Sequence, residues 1–260
     1  MFMGRRMRLL GRYQGEFGII DVVECLDNGT RLYLESGTYQ SQATPDGHQP
    51  FPYVRLMAGI LSPAQNILLL GCGGGTLATM MVRAGKAVTV VDRNPISFVI
   101  AERFFGMPAD VTRVCADFRD FLRDGRRRFD GIAIDVSGPG FDTTAAFDGP
   151  TCELLRRRLS DGGRIAMNMS AECDVDPSPD IIAGRLAGAS MHAWIFDHPG
   201  RSVRNAILAC RPERSFKECD LLAMAVTAED EPWACRRARR RRPLAQRDCS
   251  SRSQANDVSR

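Results

Sequence analysis

Residues 66–92 read NILLLGCGGGTLATMMVRAGKAVTVVD, and this stretch decides the fold. An apolar run, Ile67 to Leu70, ends in Gly71, Gly73, Gly74 and Gly75. A helix-compatible segment from Leu77 to Ala84 follows, and Gly85 stops it. A second β-rich run, Ala87 to Val91, ends in Asp92, 21 residues after Gly71. The order is strand, tight turn, helix, strand, acid, which is the nucleotide-binding half of a doubly wound α/β fold. The glycines let the backbone turn sharply and let a ligand lie against it. The helix that follows offers free N–H groups and the positive end of its dipole. Asp92, at the carboxyl end of the second strand, suits the two hydroxyls of a ribose.

Spacing selects the ligand class. A dinucleotide fingerprint needs glycine at the first, third and sixth places, and the sixth is Thr76. What stands is G-x-G-x-G at Gly71, Gly73 and Gly75, a pattern typical of folds that hold an adenosyl sulfonium such as S-adenosylmethionine. The alternative reading is a tight βα turn with no ligand, in which Asp92 only caps the next helix.

With 260 residues, 44% of them hydrophobic and 25% charged, the chain has room for one α/β domain and a modest extra element. Its apolar runs are too short to span a bilayer. The basic start has no apolar core of a secretory signal. Nine cysteines occur without C-x-x-C spacing, so neither a zinc site nor a disulfide framework is indicated. Cys25, Cys72, Cys115 and Cys210 lie in apolar runs and read as buried small residues. The expectation is a reduced, cytoplasmic protein. Residues 236–260 hold nine Arg and two Asp, a surplus of +7 against a chain total of +4, so the rest carries −3. A mildly acidic body is compatible with a cationic small substrate.

Phe17–Cys25 and Arg31–Glu35 flank Asn28-Gly29, a strong hairpin signal. A polar, Gly/Pro-rich stretch reads as loop up to Pro52, which opens a helix through Leu61. Beyond Asp92, Asn94 and Pro95 start a helix to about Phe105. Further strands are expected at Val111–Cys115, Phe129–Asp135 and Arg164–Met169. Helices are expected near Arg119–Asp124, Thr151–Leu159 and Pro179–Ala189. Met191–Phe196 and Asn205–Cys210 have no helix between them and should form a terminal antiparallel hairpin. Five parallel strands with such a hairpin is the layout of class I S-adenosylmethionine-dependent transferases, a Rossmann-like α/β fold. Three regions result: an N-terminal β-hairpin element in 1–50, a Rossmann-like catalytic domain in 51–226 and a basic, unstructured tail in 227–260.

The order of features resembles the spermidine/spermine synthase (polyamine aminopropyltransferase) family over about residues 17–211. Ser36-Gly37-Thr38-Tyr39-Gln40 is similar to its L-D-G-x-x-Q segment. Tyr53 matches the Tyr that opens the next helix, and GCGGGTL the glycine loop. Val90-Val91-Asp92 matches the strand ending in the ribose-binding acid. Ala116-Asp117-x-x-x-Phe121-Leu122 resembles G-D-G-x-x-F-L, whose Asp reads the adenine amino group. Asp135-Val136-Ser137-Gly138-Pro139 resembles D-S-S-D-P, whose first Asp is the catalytic acid/base. Departures are equally specific. The family's active glycine loop carries an acid, G-G-G-D-G-G, and this one only Cys and Gly. Gly138 stands where the second Asp of D-S-S-D-P would be, and Val54 and Arg55 replace a His or Gln and a Glu. The acids for the amines are depleted, while those for the nucleoside remain.

The resemblance implies transfer of an aminopropyl group from decarboxylated S-adenosylmethionine to an amine, with no tightly bound cofactor. Asp135 and Tyr53 would be catalytic. Gln40, Gly71, Gly73, Gly75, Asp92 and Asp117 would hold the nucleoside. Two bland roles stay open: Asp117 as a helix cap and Asp135 as an Asx-turn residue. His48, His192 and His198 read as ordinary surface or loop residues, and Met80 and Met81 as packing. Rival functions are an S-adenosylmethionine-dependent small-molecule methyltransferase and a catalytically weak nucleoside-binding protein. The expected partner is a small-molecule amine, without membrane or nucleic acid. A homodimer is expected by analogy alone.

Overall fold

A computed structural model describes residues 6–45, 51–138, 140–171, 173, 175–198, 204–212, 215–217, 220 and 233–238. The chain begins with an antiparallel meander: β1 (Met7–Gln14), β2 (Ile19–Cys25), β3 (Arg31–Glu35) and β4 (Thr38–Ala43), in that spatial order. The Asn28-Gly29 turn joins β2 to β3 as expected, with Gly29 at φ 69°. Two strands of this meander were not foreseen. β1 arises from the basic start, and β4 from the stretch that reads as loop. A two-residue turn at Ser36 and Gly37, both at positive φ, pairs Glu35 with Thr38 and forces residues 38–43 into the sheet. The N-terminal element is therefore a four-stranded sheet and not a single hairpin.

Next come α1 (Pro52–Leu61), β5 (Asn66–Leu70), α2 (Thr76–Arg83), β6 (Ala87–Asp92), α3 (Pro95–Phe105), β7 (Thr112–Cys115), α4 (Phe118–Asp124) and β8 (Phe129–Ile134). They are followed by α5 (Thr143–Ala146), α6 (Gly149–Arg158), β9 (Leu159–Ala171), α7 (Ser178–Gly188), β10 (Met191–Asp197), β11 (Arg204–Pro212) and β12 (Ala234–Arg237). The strands form one sheet in the order β12-β10-β11-β9-β8-β5-β6-β7. The five strands from β9 to β7 in that order run parallel, and β11, β10 and β12 run antiparallel to their neighbours. The order reverses between β5 and β8, where ligands bind in open α/β sheets.

Side chains alternate across the sheet. Ile67 and Leu69 of β5 join the core under α1 and α2. Leu68 and Leu70 join the core under α4, α6 and α7. Both faces are covered, so the central strands read as unbroken apolar runs. The N-terminal sheet packs on α3 through Ile20, Val22, Tyr33, Ile100, Phe104 and Phe105. Among the described residues no helix is long and apolar enough to cross a membrane.

Three expectations are corrected. Residues 234–237, placed in an unstructured tail, pair with β10, whose open edge offers unpaired backbone groups. Arg236 also forks onto Asp180 at 2.6 and 2.8 Å. Residues 239–260 lie outside the described residues. Cys115 is exposed, unlike buried Cys25, Cys72 and Cys210, because β7 is the sheet's edge. His198 is buried, its ring 4.1 Å from that of Trp233, while His48 lies outside the described residues.

Gly71 fixes how closely β5 and β8 end beside each other. Its φ is 92°, and a methyl group there would meet the Asp135 carbonyl carbon at 2.9 Å and its oxygen closer still. Gly71→Ala should cost about 2–4 kcal/mol in chemical denaturation, from backbone strain plus overlap. Gly85 also has positive φ but nothing within 4 Å, so Gly85→Ala should cost only about 1–2 kcal/mol. Equal losses would mean that the overlap at Gly71 contributes nothing.

Candidate active site

A cleft of about 860 Å³ opens at the carboxyl ends of the parallel strands. Gln40, Tyr53, Gly71, Gly73, Asp92, Asp117 and Asp135 all line it. The strand-to-helix turns gather residues far apart in sequence, because each parallel strand delivers its last residue to the same edge.

At the glycine bend, Gly71 N–H donates to the Val91 carbonyl at 2.9 Å, and Gly75 N–H to that of Cys72 at 2.7 Å. Gly73 and Gly75 have φ of 50° and 68°. Gly75 does not face the cleft. It is the left-handed residue before α2, packed where a Cβ would touch Ala101 and Met107. Asp92 clamps the bend: Oδ2 accepts from Cys72 N–H at 2.7 Å and Oδ1 from Asn94 N–H at 2.8 Å. Each oxygen can accept a further hydrogen bond, and Asp92 lines the cleft. Burial pushes the Asp92 carboxyl up, against the pull of those two backbone donors.

Asp117 takes the capping role that the sequence left open. Its Oδ1 accepts from Arg119 N–H at 2.8 Å, at the start of α4. It lines the cleft as well, so capping and ligand contact are compatible on one carboxylate.

Asp135 follows β8 directly and its N–H donates to Leu70 O at 2.9 Å. Asn168 Nδ2 donates to its Oδ1 at 2.8 Å, and the Tyr53 hydroxyl reaches its Oδ2 at 3.5 Å. Burial raises the Asp135 carboxyl, and the Asn168 and Tyr53 hydrogen bonds partly offset this. Tyr53 is itself pushed well above its usual range, chiefly by burial and then by Asp135. Its ring stacks on Phe51 at 5.7 Å, and Phe51 meets Tyr39 edge-on at 5.4 Å. The aromatic trio fixes the hydroxyl over Asp135.

The N-terminal sheet completes the cleft. Gln40 lies on β4, not in a loop, and its Oε1 accepts from Ser137 Oγ at 3.0 Å. Ser41 Oγ accepts from Gly74 N–H at 2.9 Å and ties β4 to the glycine bend. Phe17 lines the cleft under the Arg93 guanidinium, 5.1 Å from the ring centroid, and Arg93 pairs with Glu16.

Sequence reasoning missed Asn168, Ser137 and Ser41. Asn168 gave one signal, a lone polar side chain inside the apolar run Ile165–Met169. A polar residue there demands a partner, and Asp135, just past the end of the adjacent strand, supplies it.

No protein-family model matches the chain. Over 183 residues, 65% of the chain, it is 30% identical to the polyamine aminopropyltransferase of Corynebacterium efficiens, and the match takes in 34% of that protein. It is 28% identical over 112 residues to the N-terminal histidine N-methyltransferase of Emericella nidulans, 41% of the chain and 20% of that protein. The chain thus spans about a third or less of the length of the curated relatives it matches. Among solved structures, a probable spermidine synthase from Corynebacterium glutamicum superposes with a TM-score of 0.78 at 19% identity, covering 89% of this chain and 91% of that one. Spermidine synthase from Thermotoga maritima gives a TM-score of 0.61 at 14% identity, with 85% of each chain covered. A spermidine synthase in complex with the transition-state analogue AdoDATO gives 0.64 at 14% identity, covering 85% and 86%. The fold is the Rossmann-like class I S-adenosylmethionine-dependent transferase fold that these structures share.

The raised Asp135 carboxyl has a consequence for stability. The fold favours its protonated form, so the stabilisation is complete at pH below the ordinary carboxylate range and is lost as pH rises through the folded value. At neutral pH, above the ordinary carboxylate range, the group therefore contributes less to stability than it does in acid. Asp135→Asn should raise the thermal midpoint at pH 7, with the gain fading towards pH 4. A variant that melts lower than wild type at pH 7 would contradict the raised value.

Proposed function

We propose that this spermidine-synthase-like chain is a transferase that moves an aminopropyl group from decarboxylated S-adenosylmethionine to an amine. The observation that carries the reading is the Asp135–Asn168–Tyr53 cluster at the end of β8, beside the Gly71 bend and Asp92. The name of the Corynebacterium efficiens relative supports the same reaction class.

In this reading Asp92 takes the ribose hydroxyls and Asp117 accepts from the adenine N6 amino group. Gln40, steadied by Ser137, closes over the sugar. The incoming alkylamine is protonated at neutral pH, since its pKa is near that of Lys, about 10. Asp135 receives one proton as the amine nitrogen turns its lone pair on the carbon beside the sulfonium. The new N–C bond forms while the C–S bond breaks, and its electron pair leaves on sulfur as a neutral thioether. No oxyanion develops, so positioning and proton removal carry the rate. The raised carboxyl suits a base better than an ordinary Asp would. Asn168 and Tyr53 hold both of its oxygens, which fixes its aim.

Charge supports the choice of donor. Six carboxylates line the cleft, Glu35, Asp92, Asp117, Asp135, Asp142 and Asp176, against two guanidiniums, Arg93 and Arg119. Arg93 pairs with Glu16, and Arg119 lies 3.8 Å from Asp117. This surplus favours a donor that has lost its carboxylate and keeps a free ammonium. Methyl transfer is the second reading, favoured by the match to a methyltransferase and by Gly138 in place of an acid.

Calorimetry should show decarboxylated S-adenosylmethionine binding more tightly than S-adenosylmethionine, and the reverse order would favour methyl transfer. Turnover with a panel of amines should fall about 10²- to 10⁴-fold in Asp135→Asn. Its rate should rise with pH as Asp135 ionises. Asn168→Leu removes a hydrogen bond that lowers the Asp135 value, so the acid limb should move to higher pH. An unmoved limb would remove Asp135 from the base role.

A further inference from the structure

The wall around Asp135 is aromatic and carries little charge. The Tyr53 hydroxyl is 3.5 Å from the carboxylate, its ring stacks on Phe51, and Phe51 meets Tyr39. The loop that leaves β8 adds Val136, Ser137 and Gly138, and the Ser137 hydroxyl already donates to Gln40. Gly138 brings no side chain. A Cβ there would lie 3.4, 3.5 and 3.6 Å from three carbons of the Phe17 ring, so that ring bounds the space a side chain would enter. Phe17 and Gly138 both line the cleft, and both are partly exposed.

This wall joins the two sheets. Phe17 comes from the turn between β1 and β2, and Gly138 from the loop after β8. Phe141 turns back on that loop, its N–H donating to Gly138 O at 3.1 Å, and lines the cleft as well. The Phe17 ring already carries one cation, the Arg93 guanidinium at 5.1 Å. Among the described residues of the wall, Asp135 is the carboxylate. Burial, Asn168 and Tyr53 are the influences on its carboxyl, with no second acid among them. Asp142 and Asp176 line the cleft from the starts of α5 and α7, where they accept from Ala145 N–H and Ser178 N–H.

We infer that the acceptor is a primary monoamine with an apolar tail and not a diamine: Asp135 takes the reacting ammonium, and the tail runs past Gly138 along Phe17. This rests on the proposed aminopropyl transfer. One carboxylate serves one positive charge. A second ammonium laid against Phe17 would lose its water with no carboxylate to replace it. The ring has little to offer that ammonium, because Arg93 already takes its cation–π attraction. An alkyl tail in the same place takes its own surface and that of the ring out of water. The missing side chain at Gly138 gives the tail its room.

The test compares kcat/KM on the full chain for n-butylamine and butane-1,4-diamine, with decarboxylated S-adenosylmethionine as donor. The two amines share one carbon body and differ in the second ammonium. n-Butylamine should be the better acceptor by about tenfold or more, with N-butyl-1,3-diaminopropane identified by mass. Gly138 has no positive φ, so its backbone accepts a side chain. Gly138→Asp should move the ratio by about tenfold towards the diamine, since it sets a carboxylate where the second ammonium would lie. Gly138→Asn, of the same size without the charge, should leave the ratio as in wild type. A wild type that prefers the diamine, or does not discriminate, overturns the inference. Loss of such a preference in Asp142→Asn or Asp176→Asn would name the acid that holds the second ammonium instead. A Gly138→Asp variant that turns over n-butylamine with the wild-type ratio also overturns it, because the tail then lies elsewhere. Turnover with neither amine in wild type overturns the aminopropyl reading and this inference with it.

Discussion

The close approach of two strand ends governs this molecule. At Gly71 the backbone leaves β5 with a positive φ and passes so near the Asp135 carbonyl that no side chain fits between them. The neighbouring strand is held to the same bend, because Asp92 accepts the N–H of Cys72 and the Val91 carbonyl accepts that of Gly71. Three strands are thus stitched together at one point. The same stitches place a carboxylate on each side of the glycine turn, about where α2 begins.

The site is assembled at a cost to the fold. Asp92, Asp135 and Glu35 are all buried enough that burial is the largest influence on each, and all are pushed above their ordinary range. Folding tolerates them because backbone N–H groups, Asn168 and Tyr53 satisfy most of their oxygens. Elsewhere the buried charges are arranged for stability. Arg204 and Asp197 meet at 2.6 Å between β11 and β10, and that pairing lowers the Asp197 carboxyl against the cost of its burial. The contrast in direction separates a carboxylate that closes a hairpin from those that line the cleft.

The N-terminal sheet is a wall of the cleft and not an appendage. Its hydrophobic face seats on α3, and Arg31 donates to the Phe104 carbonyl at 2.7 Å. Seated there, β4 sends Gln40 to the loop after β8 and Ser41 to the glycine bend, while β3 ends in Glu35. A chain lacking this sheet would expose the bend and lose one wall of the cleft.

Sequence alone determined the strand–turn–helix–strand unit of residues 66–92, because period, glycine spacing and the terminal acid are local signals. It also determined α1 and α3, whose first turns are set by Pro52 and by Asn94-Pro95. Asp92, Asp117 and Asp135 were legible for the same reason: each ends an apolar run at a strand's carboxyl end. Tertiary structure decided what local signals do not carry. β4 is a strand only because a hairpin turn lays polar residues 38–43 against β3, and β12 only because β10 has an open edge. Asn168 acquires its role from a partner 33 positions away, and Gln40 meets Ser137 from a different sheet. Pairing across the sheet and burial depend on which distant segments meet, and no window of sequence contains both halves of such a contact.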